Sequence, residues 1–165
     1  MRPWIVRLLI ALSVVALAGC DHAVKHAAKA HLEGAEPRPV VGHVLRLQYT
    51  ENHDTGFGLL RWLPVESRLP VILALQSLGS IALVVLLARR RRVDLVTAAF
   101  ALLLAGALGN LADRALRGYV VDFIRVPHWP VFNLADVWIT AGIGLFLLAH
   151  VAARRAPAED PAARG

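Results

Sequence analysis

The chain has 165 residues, 18 basic against 12 acidic, for a formal net charge of +6. Its residues are 57% hydrophobic and its mean hydropathy is +0.56, an apolar excess beyond that of ordinary soluble domains. The arginines stand at the ends of apolar runs rather than along one face, which excludes a nucleic-acid surface as their explanation, and the single cysteine excludes an intrachain disulfide or a multi-cysteine metal site.

The first apolar block, residues 8–19, follows Arg2 and Arg7 and ends at Leu17-Ala18-Gly19-Cys20. It reads as a span of about residues 4–20. A signal peptide is the competing reading of so short a block, and Leu17 to Cys20 looks like the cleavage motif of a lipoprotein signal. His22 and His26 lie one helical turn apart beside Asp21, a weak metal-binding pattern against the simpler reading of solvated histidines.

A polar segment of about residues 21–68 comes next. Within it, Leu45-Arg46-Leu47-Gln48-Tyr49-Thr50 alternates apolar and polar residues and predicts a half-buried strand, with Pro37 and Pro39 marking a break before it. Gly56 to Leu63 reads as a strand end and an interfacial turn, with Arg61 and Trp62 at headgroup level.

Further apolar blocks predict spans at about 69–88, 95–112 and 132–153. Arg89-Arg90-Arg91-Arg92 separates the second from the third, and Arg154-Arg155 opens a Pro/Ala-rich tail, residues 154–165. Placing all three basic sites in the cytoplasm satisfies the preference of arginine for that side. The chain then reads as one polytopic membrane domain of four spans, residues 1–165, with both termini cytoplasmic.

The chemistry gathers between Gly106 and Gly142. Asn110-Leu111-Ala112-Asp113 closes span three, Val120-Val121-Asp122-Phe123 lies in the short loop, and Asn133-Leu134-Ala135-Asp136 opens span four. Asn and Asp three residues apart share a helix face. Asn133 also suits a helix cap, and Arg114 suits an ion pair with Asp113. Ionisable groups just inside an apolar helix, as at Asp136, are costly and generally functional. Two carboxylates meeting at one membrane surface would share a proton, hold a water and divide the roles of base and acid. The residues alone leave the working pair open among Asp113, Asp122 and Asp136. Ser13, Ser77 and Ser80 lie within apolar blocks without a nearby base, which argues against a serine nucleophile, and there is no His-Glu-x-x-His motif.

These stretches resemble the lipoprotein signal peptidases (signal peptidase II), bacterial inner-membrane aspartic peptidases. Asp21-His22-Ala23-Val24-Lys25 is similar to the family's Asp-x-x-x-Lys, and residues 52–57 to its Asn-x-Gly-x-Ala-Phe. Gly106 to Asn110 with Asp113-Arg114, then Val121-Asp122-Phe123, then Phe132 to Asp136, keep the family's order. The resemblance implies Asp122 and Asp136 as the catalytic dyad, with Asn52, Asn110, Asp113, Arg114, Asn133, Asp21 and Lys25 binding substrate or supporting the site. It implies an all-α membrane fold of four spans, with a small β-sheet cradle and an interfacial helix on the outer, periplasmic face. It implies removal of signal peptides from diacylglyceryl-modified prolipoproteins, with no metal or other cofactor. The expected partners are those substrates and membrane lipids, with no nucleic acid, and the expected state is a monomer. Asp54 departs from the family's usual Gly, and Val137 from its small hydroxyl residue. Two other functions fit the residues: a proton-coupled carrier using the same carboxylates, and a non-catalytic lipid-anchored membrane protein.

Overall fold

A computed structural model describes residues 2–54, 60 and 62–155. Four helices, α1 (Pro3–Leu32), α2 (Val65–Arg89), α3 (Leu95–Arg117) and α4 (Leu134–Arg155), are each long and apolar enough to cross a membrane. Three strands, β1 (Arg38–Val41), β2 (Leu45–Asn52) and β3 (Val120–Arg125), form one antiparallel sheet in the order β1-β2-β3. The sheet and the junctions around it lie at one end of the helices. The interfacial turn and helix expected around residues 56–63, and the second half of the Asn52 to Phe57 motif, fall on or across residues outside those described.

Helix α3 is the centre of the bundle and packs against the other three. Val14, Leu87, Ala101, Leu104 and Ala105 form its buried apolar core, joined by Ile10, Leu17, Leu83, Phe100 and Leu108. The opposite surfaces of α1, α2 and α4 leave Leu12, Val15, Leu78, Ile81 and Leu148 exposed, as helices facing lipid do.

Helix α1 differs from its expected bounds. It runs unbroken through Cys20 to Leu32, well past the end of its apolar block. The added stretch is rich in alanine and lysine, good helix formers, and meets no glycine or proline before Gly34. Thirty residues make a helix about 45 Å long, more than the ~30 Å of a bilayer core. Its last turns therefore stand clear of the bundle, where Ala28 and Leu32 pack on Phe123, with Leu47, Tyr49, Ile124 and Leu134 around them. Lys29 Nζ, 2.9 Å from the Tyr119 hydroxyl, ties the same turns to the start of β3.

The strand expected at residues 45–50 is β2, extended to Asn52. Asp122, expected in a short loop, lies instead in β3, whose first four residues are all buried. Val120, Val121 and Ile124 are β-branched and favour a strand once a partner such as β2 is beside them. Pro39 sits within β1, an edge strand, beside a register irregularity, the setting in which a sheet tolerates a residue without an N–H. Gly118 makes the turn into β3. Its φ of +82° closes α3 in the left-handed conformation, with its N–H donating to the Arg114 carbonyl.

Candidate active site

A buried polar core begins on α1. Asp21 and Lys25 are one turn apart and fully buried, with Lys25 Nζ 2.8 Å from Asp21 Oδ2. The same ammonium lies 3.1 Å from Asp113 Oδ2 and donates to Asn110 Oδ1 at 2.9 Å. Lys25 Nζ thus has one hydrogen bond and two carboxylate neighbours, and these opposite charges offset the cost of burying the polar groups here. Asp21 Oδ1 accepts from the Ala135 N–H at 2.7 Å, a carboxylate against the first turn of α4, where the helix dipole favours it. A side chain at position 109 would place its Cβ 2.6 Å from Asp21 Oδ2, so this approach of α1 to α3 requires Gly109.

Asp113 does not pair with Arg114 as expected. Adjacent residues on a helix point about 100° apart. Asp113 turns inward to Lys25, to Arg117 at 2.6 Å and to the Val121 N–H at 3.2 Å. Arg114 instead donates to the Asp54 carbonyl at 2.7 Å and to Gln76 Oε1 at 3.4 Å. Asp54 carries an internal role there: its N–H donates to Asn52 Oδ1, and its carboxylate lies 3.9 Å from Arg68.

The amides of Asn110, Asn133 and Asn52 connect this core to two further carboxylates. Asn110 Oδ1 is occupied by Lys25, which turns its Nδ2 toward Asp136 Oδ1 at 2.9 Å. Asn133 caps α4: its Oδ1 accepts from the Asp136 N–H, and Asp136 Oδ2 accepts from the Asn133 N–H. Its Nδ2 meanwhile donates to Asp122 Oδ1 at 2.6 Å and to Asn110 Oδ1 at 3.0 Å. Capping and site roles are therefore both filled by one residue. Asn52, on β2, donates to Asp122 Oδ2 at 2.9 Å. Each oxygen of Asp122 and Asp136 thus accepts one hydrogen bond from a fixed donor.

Asp122 and Asp136 open onto a cleft of about 400 Å³, shared with Asn52, Asn110, Arg114 and Gln76. Its apolar wall comes from Ile72 and Leu75 of α2, Val120 of β3, Trp129 to Phe132, and Ile139 of α4. Asp21, Lys25 and Asp113 are fully buried and lie behind the wall rather than on it. Among the described residues no cluster of three His, Cys, Asp or Glu can hold a metal ion, and His22 sits 4.0 Å from Asp113.

Residues 13–152 match the family described as signal peptidase (SPase) II. The chain belongs to the signal peptidase II family. A lipoprotein signal peptidase of Sinorhizobium fredii is 39% identical over 157 residues, 89% of this chain and 86% of that protein. One from Moorella thermoacetica is 38% identical over 139 residues, 82% of this chain and 86% of that one. A bacterial membrane enzyme solved by the in meso method at 2.3 Å superposes with a TM-score of 0.80, at 27% identity, covering 92% of this chain and 93% of the other. As a signal peptidase II the protein is an aspartic protease and a multi-pass membrane protein.

Within this signal peptidase II, burial pushes the Asp122 carboxyl up to about 6, and the Asp136 charge adds to the rise against the hydrogen bonds from Asn52 and Asn133. Asp122 therefore keeps its proton at a pH where an exposed aspartate has lost it. Sequence reasoning missed Arg117 and Gln76. Arg117 stands one turn beyond Asp113, the spacing of a helical ion pair, and Gln76 is a polar residue in an apolar span. Both signals were readable in the sequence.

Proposed function

We propose that the protein removes signal peptides from diacylglyceryl-modified prolipoproteins, with Asp122 and Asp136 as the catalytic dyad. The observation that carries this reading is the pair itself: two carboxylates from different elements, fixed by shared asparagines, in one cleft at the end of a membrane bundle. The mechanism follows from the difference between them. Asp122, which keeps its proton to higher pH than an exposed aspartate, donates it toward the scissile carbonyl oxygen. Asp136 takes a proton from a water held between the carboxyl groups, and the water oxygen bonds to the carbonyl carbon. The tetrahedral diol then collapses. The carbon–nitrogen bond breaks, the proton on Asp136 passes to the leaving amine, and a diol proton returns to Asp122.

The cleft suits such a substrate. The dyad side supplies backbone-sized polar contacts, and Ile72, Leu75 and Ile139 offer a wall for apolar side chains and acyl chains. We further read the chain as one domain, a monomer in the bacterial inner membrane among its lipids. Both termini are cytoplasmic and the dyad is at the outer surface, because Arg2 and Arg7, the Arg89 to Arg92 run and Arg154-Arg155 all stand at the helix ends away from the dyad.

The test is cleavage by the purified protein of a prolipoprotein that carries the diacylglyceryl group, followed by mass. The expected product is cut directly before the lipidated cysteine, with little cleavage of the unlipidated form. An intact lipidated substrate after long incubation with folded protein would overturn the proposal.

A further inference from the structure

At the other end of the bundle, between α2 and α3, Arg89 to Arg92 and Asp94 enclose a cleft of about 430 Å³. A topology signal needs only charge on a chain segment. Here the segment is built. Arg90 pairs with Asp94, and its Nε donates to Thr97 Oγ1 at 3.2 Å. Thr97 is buried, and its hydroxyl stands 2.7 Å from the Arg92 carbonyl and 2.9 Å from Asp94 Oδ1. Asp94 also caps α3 by accepting from the Thr97 N–H at 2.8 Å. That N–H and the Arg90 guanidinium hold the Asp94 carboxyl at about 2, so the brace stays charged at any working pH.

The brace consumes one arginine and fixes the backbone under two others. Arg89, Arg91 and Arg92 are exposed and make no ion pair among the described residues. The four arginines face one aspartate, so the cleft carries a net charge of +3. Val85, Leu86, Val93 and Leu95, within about one helical turn of the arginine run along the chain, are all more than 40% exposed and form an apolar collar flanking it. Cationic groups above an apolar collar, at the end of a membrane helix pair, match a lipid with an anionic head and acyl tails.

We propose that the Arg89–Arg92 cleft binds the phosphodiester headgroup of an anionic membrane phospholipid, with Arg91 and Arg92 as the principal contacts. Guanidinium groups suit this ligand because their planar donor fork matches two phosphate oxygens. The site lies at the opposite end of the bundle from Asp122 and Asp136 and takes no part in peptide cleavage.

Native mass spectrometry of the whole protein, released from phosphatidylcholine nanodiscs containing a minor share of phosphatidylglycerol, tests this. The parent protein should retain phosphatidylglycerol in preference to phosphatidylcholine. R91Q/R92Q should bind it roughly tenfold or more weakly, with cleavage activity and unfolding temperature in pure phosphatidylcholine unchanged. R7Q/R154Q removes the same charge from the same membrane face away from the cleft, and should weaken binding less than about threefold. Inorganic phosphate should not displace the lipid. Equal retention by R91Q/R92Q, equal loss in R7Q/R154Q, or displacement by phosphate would each overturn the proposal.

Discussion

Asn133 donates from its Nδ2 to Asp122 Oδ1 across 2.6 Å while its own Oδ1 caps the helix that carries Asp136. One side chain therefore sets the distance between a strand and a helix. The two duties separate by mutation. Asn133→Ser keeps a capping oxygen but loses the amide Nδ2 that reaches Asp122, so kcat should fall roughly 10²-fold or more while the unfolding temperature stays close to the parent. Asn133→Ala should lose the same activity and a further ~1 kcal/mol of stability with the cap. Equal stability of the two variants would remove the cap from the account.

Lys25 meets Asp21, Asp113 and Asn110 in a fully buried site. Lys25→Met leaves Asp21 with an unpaired buried charge and should cost about 3–5 kcal/mol. Adding Asp21→Asn should recover part of that loss, because the amide no longer needs a cation. Thermal unfolding in detergent measures both. A double variant less stable than Lys25→Met alone would show that Asp21 is not held as a charge.

Much of this architecture was legible in the sequence because the bilayer imposes a length and a composition on each span. The four apolar blocks became the four long helices, and Asn110 with Asp113, three residues apart, came out on one face toward Lys25. Hydropathy could not reveal the last turns of α1, since it reports lipid contact and those turns pack on Phe123 outside the bundle. It also could not show Asp122 on a strand, because β3 is stabilised by pairing with β2 some seventy residues earlier, a non-local contact. The assignment of Arg114 to Asp113 failed on helix rotation, and Arg117 at one full turn was the better choice.

The Asn52 amide opposes the rise that burial causes at Asp122. Asn52→Leu removes that donor and excludes a replacement water, so the Asp122 proton should be held to higher pH. The alkaline limb of the pH–rate profile should move up by about 0.5–1 unit. Stability follows the same sign. A carboxyl at about 6 in the folded protein against 3.8 unfolded stabilises fully below pH 3.8 and loses that contribution as pH rises through 6. In Asn52→Leu the loss should extend to higher pH. A limb that stays in place while activity falls uniformly would mean that Asn52 only shapes the sheet.

Orientation is testable at His53, whose side chain is exposed beside the sheet. In a Cys20→Ala background, which should retain full activity, a cysteine at position 53 should react with an impermeant maleimide from the outer side. A cysteine replacing Arg154 should react only from the cytoplasmic side. Labelling of position 53 from the cytoplasm would invert the arrangement and place the dyad on the wrong face for secreted substrates.

The dyad itself makes the sharpest comparison. Asp122→Asn and Asp136→Asn keep the shape of each side chain but remove its ability to take up and return a proton. General acid–base catalysis accounts for roughly 10²–10⁴-fold in rate, and each variant should lose at least that much while still inserting and unfolding cooperatively. Asp113→Asn should behave in the opposite way. Its carboxylate lies behind the cleft between Lys25 and Arg117 and receives the Val121 N–H, so its loss should cost on the order of 3 kcal/mol of stability. Activity per folded molecule should fall only in part, as β3 and Asp122 lose an anchor. The three variants have to be compared on a lipidated substrate at matched amounts of folded protein. Full activity in either Asp122→Asn or Asp136→Asn would refute the dyad, and complete loss confined to Asp113→Asn would move the chemistry behind the wall to that residue.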